Sequence, residues 1–312
     1  MNEFELIAKL TKTLPTNESV TVGAGDDCAV LDLGLKDQSV LFKTDAVVEG
    51  VHFTAETEPE RIGHKALGRC LSDIAAMGGT PTHALVTLGL PKDYDPERIS
   101  QIYRGMSALA LRYNVAIVGG ETTTNPGCLL ISVALLGTVK KDKAALRKGA
   151  QVGDAIFVTG NLGGSLSGKH LDFEPRLAEG RWLMENFSLS SMMDVSDGLA
   201  GDLRHIMKQS GVGALLFAAM IPVSREAKVK AREKTIAKPA ILAALTDGED
   251  FELLFTLPPN EAVKLKDAWK EQFPNLPLSC IGKITKQPGL HLKDERGVRE
   301  LHDHGYVHHA QS

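Results

Sequence analysis

Several carboxylates stand where an apolar element begins or ends, positions at which solvated charge is out of place. Asp26 and Asp27 precede the run Cys28-Ala29-Val30-Leu31, Asp45 closes the run that starts at Ser39, and Asp73 lies inside Cys70-Leu71-Ser72-Asp73-Ile74-Ala75-Ala76-Met77. Asp194-Val195-Ser196-Asp197-Gly198 repeats the arrangement at a strand end entering a helix, and Gly248-Glu249-Asp250 precedes a further apolar run. A carboxylate buried without a partner is costly, so Asp73 needs a cation. Any one of these residues alone reads as a turn former or helix cap. As a set, with almost no His or Cys among them, they make an all-oxygen ligand group suited to Mg²⁺ or Ca²⁺ over zinc. Magnesium commonly shares its ligands with substrate phosphates, so the chemistry expected is that of a nucleoside triphosphate held through metal. Gly119-Gly120-Glu121-Thr122 adds a glycine turn whose amides could approach phosphate beside another carboxylate.

A second candidate has to be set aside. Gly163-Gly164-Ser165-Leu166-Ser167-Gly168-Lys169-His170 has the spacing of a phosphate-cradling P-loop, but His170 stands where a metal-holding hydroxyl belongs. A Gly/Ser turn between a strand and a helix explains the composition without phosphate.

The elements that must position these groups alternate along the chain. Helical spacing runs over residues 3–14, 59–77, 96–113, 199–210 and 261–272, with Asn2 as N-cap and Pro15 as terminator of the first. Strand-like runs occupy 28–33, 39–44, 84–90, 115–118, 129–139, 155–159, 214–218, 251–257, 278–281 and 289–292. The basic, glycine-flanked segment 140–153 separates two apolar strands and is the best boundary, giving domains at 1–140 and 141–312. The 312 residues suit two cores, and each half reads as helices packed on one sheet: a mixed α/β (α+β) fold.

Charge and composition exclude several classes. A net charge of -4 and the absence of a Lys/Arg block with interleaved aromatics speak against nucleic acid as a partner. No run reaches the roughly 18 to 20 apolar residues of a membrane span, and the acidic start Met1-Asn2-Glu3-Phe4-Glu5 is unlike an export signal. Cys28, Cys70, Cys128 and Cys280 lie far apart with no zinc or disulfide spacing, so reduced thiols in the cytoplasm are expected. His291, His302, His304, His308 and His309 crowd the last residues, where a polar tail explains them better than a zinc site.

Taken in order, Gly25-Asp26-Asp27-Cys28-Ala29, Lys43-Thr44-Asp45 running to Gly50-Val51-His52-Phe53, Leu71-Ser72-Asp73-Ile74-Ala75-Ala76-Met77-Gly78, Gly119-Gly120-Glu121-Thr122, Asp194-Val195-Ser196-Asp197-Gly198-Leu199 and Gly248-Glu249-Asp250-Phe251-Glu252 resemble the thiamine-monophosphate kinase family. That family belongs to the aminoimidazole-ribonucleotide-synthetase-like ATP-binding superfamily, and the likeness runs from about residue 22 to the end. The resemblance implies ATP-dependent phosphorylation of thiamine monophosphate with several Mg²⁺, no P-loop, and a homodimer formed through the N-terminal sheet. By position it implies Asp27, Thr44, Asp45, Asp73, Glu121, Asp194 and Asp197 as metal ligands, Asp197 being also the catalytic residue. Tyr103, Gly119, Gly120, Glu121, Arg147 and Ser196 would contact ATP, and His52, Glu249 and Tyr306 would face thiamine monophosphate. Taken singly, His52 reads as a structural histidine and Arg147 as a solvated cation in a basic segment.

Three positions depart from the family pattern. Lys43 stands where a hydroxyl ligand is usual and, being charged, cannot ligate metal, though it could serve as a counter-ion to phosphate. Glu121 replaces a shorter acid or amide, and Asp247 replaces a second glycine. A non-catalytic nucleotide or cation sensor, or a superfamily enzyme acting on another phosphorylated small molecule, are the competing readings.

Overall fold

The computed structural model describes residues 3–233 and 238–302. Tyr306, His304, His308 and His309 lie outside these residues. In the first half the strands are β1 (Val20–Val22), β2 (Ala29–Leu31), β3 (Gln38–Val48), β4 (Thr80–Leu90), β5 (Ala116–Thr124) and β6 (Leu130–Lys140), with helices α1 (Glu3–Thr11), α2 (Pro59–Ala76) and α3 (Pro96–Arg112). In the second half the strands are β7 (Ala155–Thr159), β8 (Ser191–Asp194), β9 (Gly213–Phe217), β10 (Leu253–Leu257), β11 (Leu278–Thr285), β12 (Leu290–Asp294) and β13 (Gly297–Glu300). Its helices are α4 (Lys169–Asp172), α5 (Leu177–Asn186), α6 (Leu199–Ser210), α7 (Arg225–Lys230), α8 (Ala240–Thr246) and α9 (Pro259–Gln272).

The strands form two sheets, ordered β1-β2-β3-β6-β4-β5 and β13-β12-β9-β11-β7-β10-β8. Pairing is antiparallel except for β4 with β5 and β9 with β12. Parallel neighbours need a crossover, and α3 supplies it between β4 and β5. Ile62, Ala66, Leu67, Cys70, Leu71 and Ile74 recur at three- and four-residue steps along α2, all fully or almost fully buried, so this helix covers one face of the first sheet.

Alternation along the second sheet builds two cores. Phe157 and Phe255 join the cluster that contains Leu67, Leu71 and Leu183, whereas Ile156, Val158 and Leu254 face Leu199, Leu203 and Ile206 of α6. One hydrophobic core therefore runs from α2 into the second half.

Two sequence expectations are corrected. Asp45 does not end its strand: β3 continues to Val48, and Asp45 is tolerated there because Arg69 neutralises it. Gly119 and Gly120 are not a turn but part of β5, where a Cβ on Gly120 would lie 1.7 Å from the carbonyl oxygen of Val86, so only glycine lets the two strands approach.

Candidate active site

Asp27, Asp73 and Asp194 come from the loop before β2, the last turn of α2 and the end of β8, and each offers a carboxylate oxygen within 4.8 Å of the others. All three are buried. Ionised together at such distances, two carboxylates repel by about 3 to 4 kcal/mol at an effective dielectric near 20. Burial, then the charge of Asp27, pushes Asp194 up to about 7, while a hydrogen bond from Ser72 Oγ at 2.5 Å opposes the shift. Burial likewise drives Asp73 well above the usual range against the pull of Lys43, and raises Asp26 to about 6.

Two cations of the chain enter this cluster. Arg147 Nη2 donates to Asp27 Oδ1 at 2.5 Å, and Lys43 Nζ lies 3.1 Å from Asp73 Oδ2. Among the described residues, Asp27 Oδ2 and Asp73 Oδ2 nonetheless accept no hydrogen bond. Two buried carboxylate oxygens that accept no hydrogen bond, one of them faced by the Lys43 ammonium, fit a hard divalent cation such as Mg²⁺. Asp202, in the first turn of α6, adds a fourth buried carboxylate; its Oδ2 accepts from the amide of Asp197 at 3.1 Å and its Oδ1 accepts no hydrogen bond among the described residues.

Beside the cluster lies a cleft lined by Val51, His52, Arg69, Leu166, Ser196, Asp197, Asp247, Glu249 and Phe251. Arg69 joins cleft to cluster, with Nε 3.1 Å from Asp45 Oδ2 and Nη1 3.2 Å from Glu249 Oε1. Beneath it Lys65 is wholly buried, pairing with Glu249 Oε2 and lying 2.8 Å from both the His52 carbonyl and His170 Nδ1. Burial opposes ionisation of Glu249, but hydrogen bonds from His170 and the charge of Lys65 hold it down at about 2. Glu249 and Phe251 both adopt positive φ, 54° and 51°, in the turn that aims them.

The expected site residues thus divide. Asp27, Asp45, Asp73, Asp194 and Arg147 meet at the cluster, and His52, Ser196, Asp197 and Glu249 share the adjoining cleft. Strand alternation turns Thr44 to the opposite, open face of the first sheet, where its hydroxyl is 3.4 Å from Ser132 Oγ. Gly119, Gly120 and Glu121 lie exposed on the edge strand β5, and Tyr103 packs half-buried against the core from α3 without lining the cleft.

Sequence reasoning gave no role to Lys65, Arg69, His170 or Asp202. Lys65 and Asp202 each sit on the apolar stripe of their helix, the signal that identified Asp73. The Gly163–His170 loop does other work. The amide of Gly163 donates to both oxygens of Asp250 at 3.0 and 2.9 Å, that of Gly164 to Asp247 at 3.1 Å, and Lys169 is taken by the buried Glu252 at 2.8 Å. These amides grip carboxylates, and the lysine of the apparent P-loop is already paired.

Two sheets covered by helices, with buried acids converging where the halves meet, describe an architecture with known relatives. The models for AIR synthase related protein match here, the N-terminal domain over residues 25–139 and the C-terminal domain over 151–295. Within that class, a thiamine-monophosphate kinase of Rhodopirellula baltica is 40% identical over 307 residues, covering 96% of this chain and 93% of its own. One of Bacillus subtilis is 34% identical over 99% of both chains. The chain belongs to the thiamine-monophosphate kinase family and is an enzyme of the kinase class. Among solved structures, AaThiL complexed with AMPPCP and TMP superposes with a TM-score of 0.83 at 30% identity, covering 99% of this chain and 97% of that one.

Proposed function

We propose that the chain transfers the γ-phosphoryl group of ATP directly to thiamine monophosphate, forming thiamine diphosphate and ADP, with Mg²⁺ as cofactor. The observation that carries this reading is the convergence of Asp27, Asp73 and Asp194, two oxygens of which accept no hydrogen bond among the described residues, beside a cleft lined by Ser196, Asp197, His52 and Glu249. The names of the relatives and the AMPPCP and TMP held by the related structure support donor and acceptor.

Asp27, Asp73 and Asp194 would hold the metal, with Asp45 and Asp197 beside them; Thr44 and Glu121 keep that role on family resemblance. Bound Mg²⁺ supplies charge neutralisation and orientation of the polyphosphate. Arg147 and Ser196 are assigned to the nucleotide, together with Tyr103, Gly119 and Gly120. His52, Glu249 and Tyr306 are assigned to the acceptor. Glu249 stays anionic because Lys65 and Arg69 flank it. A phosphate monoester is largely ionised at neutral pH, so no side chain has to remove a proton before in-line attack. Positioning by Arg69, His52 and Glu249 is the contribution asked of the protein.

The first half (residues 1–140) is assigned nucleotide and metal binding and dimerisation, and the second (141–312) completes the site. A homodimer through the open face of the first sheet is supported by exposed Phe42, Leu85, Val118 and Leu136 on β3, β4, β5 and β6. No helix of the described residues is long and apolar enough to cross a membrane. A cytoplasmic location is supported by four free thiols, two of them buried. Incubation with γ-labelled ATP, Mg²⁺ and a panel of phosphorylated and free alcohols tests the assignment: label should enter thiamine monophosphate and not thiamine. Nucleotide binding without transfer to any acceptor would reject it in favour of a sensor.

A further inference from the structure

Lys43 puts a fixed positive charge among the site carboxylates. It stands in the interior of β3, paired in register with Leu135 of β6, and its side chain crosses to the face covered by α2. There its ammonium lies 3.1 Å from Asp73 Oδ2. That oxygen accepts no hydrogen bond among the described residues, so the Lys43 charge is what faces it. Asp45 shares the same face two residues along and is held by Arg69.

The other cation in the cluster, Arg147, comes from the segment between the two sheets and takes Asp27. Lys43 differs in its origin: its backbone is fixed in a paired strand, so its charge stays beside Asp73. A divalent ion held by Asp73 on this side would need the space and the charge that this ammonium already supplies.

We propose that Lys43 is a tethered cation occupying one divalent-ion position of the site, so that this chain loads one Mg²⁺ fewer than its carboxylates would otherwise hold. On that side an ammonium meets the polyphosphate. The polyphosphate contact rests on the kinase reading above; the ion count does not. A lysine is charged at neutral pH and binds phosphate oxygens as a point charge. Being covalently attached, it is present at an effective concentration that does not fall when free Mg²⁺ is scarce.

The test is the number of Mn²⁺ ions bound by the full chain with AMPPCP, read by electron paramagnetic resonance, for the parent, Lys43→Ser and Lys43→Arg. Lys43→Ser should bind one more Mn²⁺ per chain than the parent, and Lys43→Arg should keep the parent's count. The Mg²⁺ concentration giving half-maximal turnover should rise about tenfold in Lys43→Ser, because a diffusible ion replaces a tethered one. Equal counts in the parent and Lys43→Ser, or an extra ion in Lys43→Arg, would overturn the proposal. If Lys43→Ser unfolds without metal, restoration of the parent's Tm by Mn²⁺ supports it and failure to restore overturns it. A changed count without thiamine diphosphate formation would sink the kinase reading and uphold the tethered cation. Turnover with an unchanged count would do the reverse, and a chain that binds no Mn²⁺ sinks both.

Discussion

Lys65 of α2 and Glu249 of the turn before β10 form an ion pair that joins the two halves beneath the cleft, with the ammonium wholly buried. The His52 carbonyl and His170 Nδ1, each 2.8 Å away, complete its surroundings. The pair therefore fixes the domain arrangement and the aim of a proposed acceptor-binding carboxylate at once.

Lys65→Met keeps the stem of the side chain and removes the charge. With Arg69 still present on Glu249, the loss should be about 3 kcal/mol, the lower end for a broken buried pair. Urea unfolding should report it, and the KM for thiamine monophosphate should rise far more than the KM for ATP. Equal changes in both would show that Lys65 only supports the fold.

Adjacent residues give opposite pH dependences. Glu249 sits at about 2 against an ordinary 4.5, so its contribution is present above pH 4.5 and is lost as pH falls toward 2. Asp250, pushed up to about 7 by burial, weakens the fold when charged, and stability rises as pH falls from 7 toward 3.8. At pH 6, Glu249→Gln should be less stable than the parent by something on the order of 3 kcal/mol, a gap that closes toward pH 2. Asp250→Asn should gain on the parent at pH 8 and lose that gain progressively as pH falls toward 3.8. Gaps that stay constant across this range would contradict both shifts.

Asp73→Asn removes one charge from three crowded carboxylates while keeping shape. In the absence of metal its Tm should equal or exceed the parent's, because burial and the neighbouring carboxylates that oppose the Asp73 charge outweigh the attraction of Lys43. Its kcat/KM should fall about 100-fold or more at saturating Mg²⁺. Normal activity would remove Asp73 from the metal site.

How much of this was legible beforehand depended on what each residue's neighbours revealed. Asp27, Asp73 and Asp194 could be singled out because apolar residues flank them, and burial of that surface forces the question of a counter-charge. Asp45 was misplaced at a strand end because its partner Arg69 is distant in sequence, and pairing across elements is invisible in one dimension. Gly119 and Gly120 mimic a turn because their requirement is the approach of β4, again a tertiary fact. Lys65 escaped notice for a different reason: a long cationic side chain on a helix is normally solvated, and only its full burial marks it. The family motifs named Thr44 and Asp45 together, whereas strand alternation sends them to opposite faces of the sheet.

Gly120→Ala tests the corrected edge strand. Its Cβ would meet the backbone of Val86, so β5 must shift from β4, at a cost of about 3 kcal/mol by analogy with overpacked cores. Hydrogen exchange should accelerate in residues 116–124 before it does in β3 or β6. Uniform protection would mean that the close approach is not required.

The central claim is phosphoryl transfer to thiamine monophosphate at a magnesium site built on Asp27, Asp73 and Asp194. Product formation by the purified chain should be measured with ATP and thiamine monophosphate while Mg²⁺ is titrated from zero. The account predicts thiamine diphosphate and ADP in equal amounts, no turnover when EDTA removes the metal, and full recovery on adding Mg²⁺ back. Turnover that persists in EDTA, or ADP released without thiamine diphosphate, would contradict it.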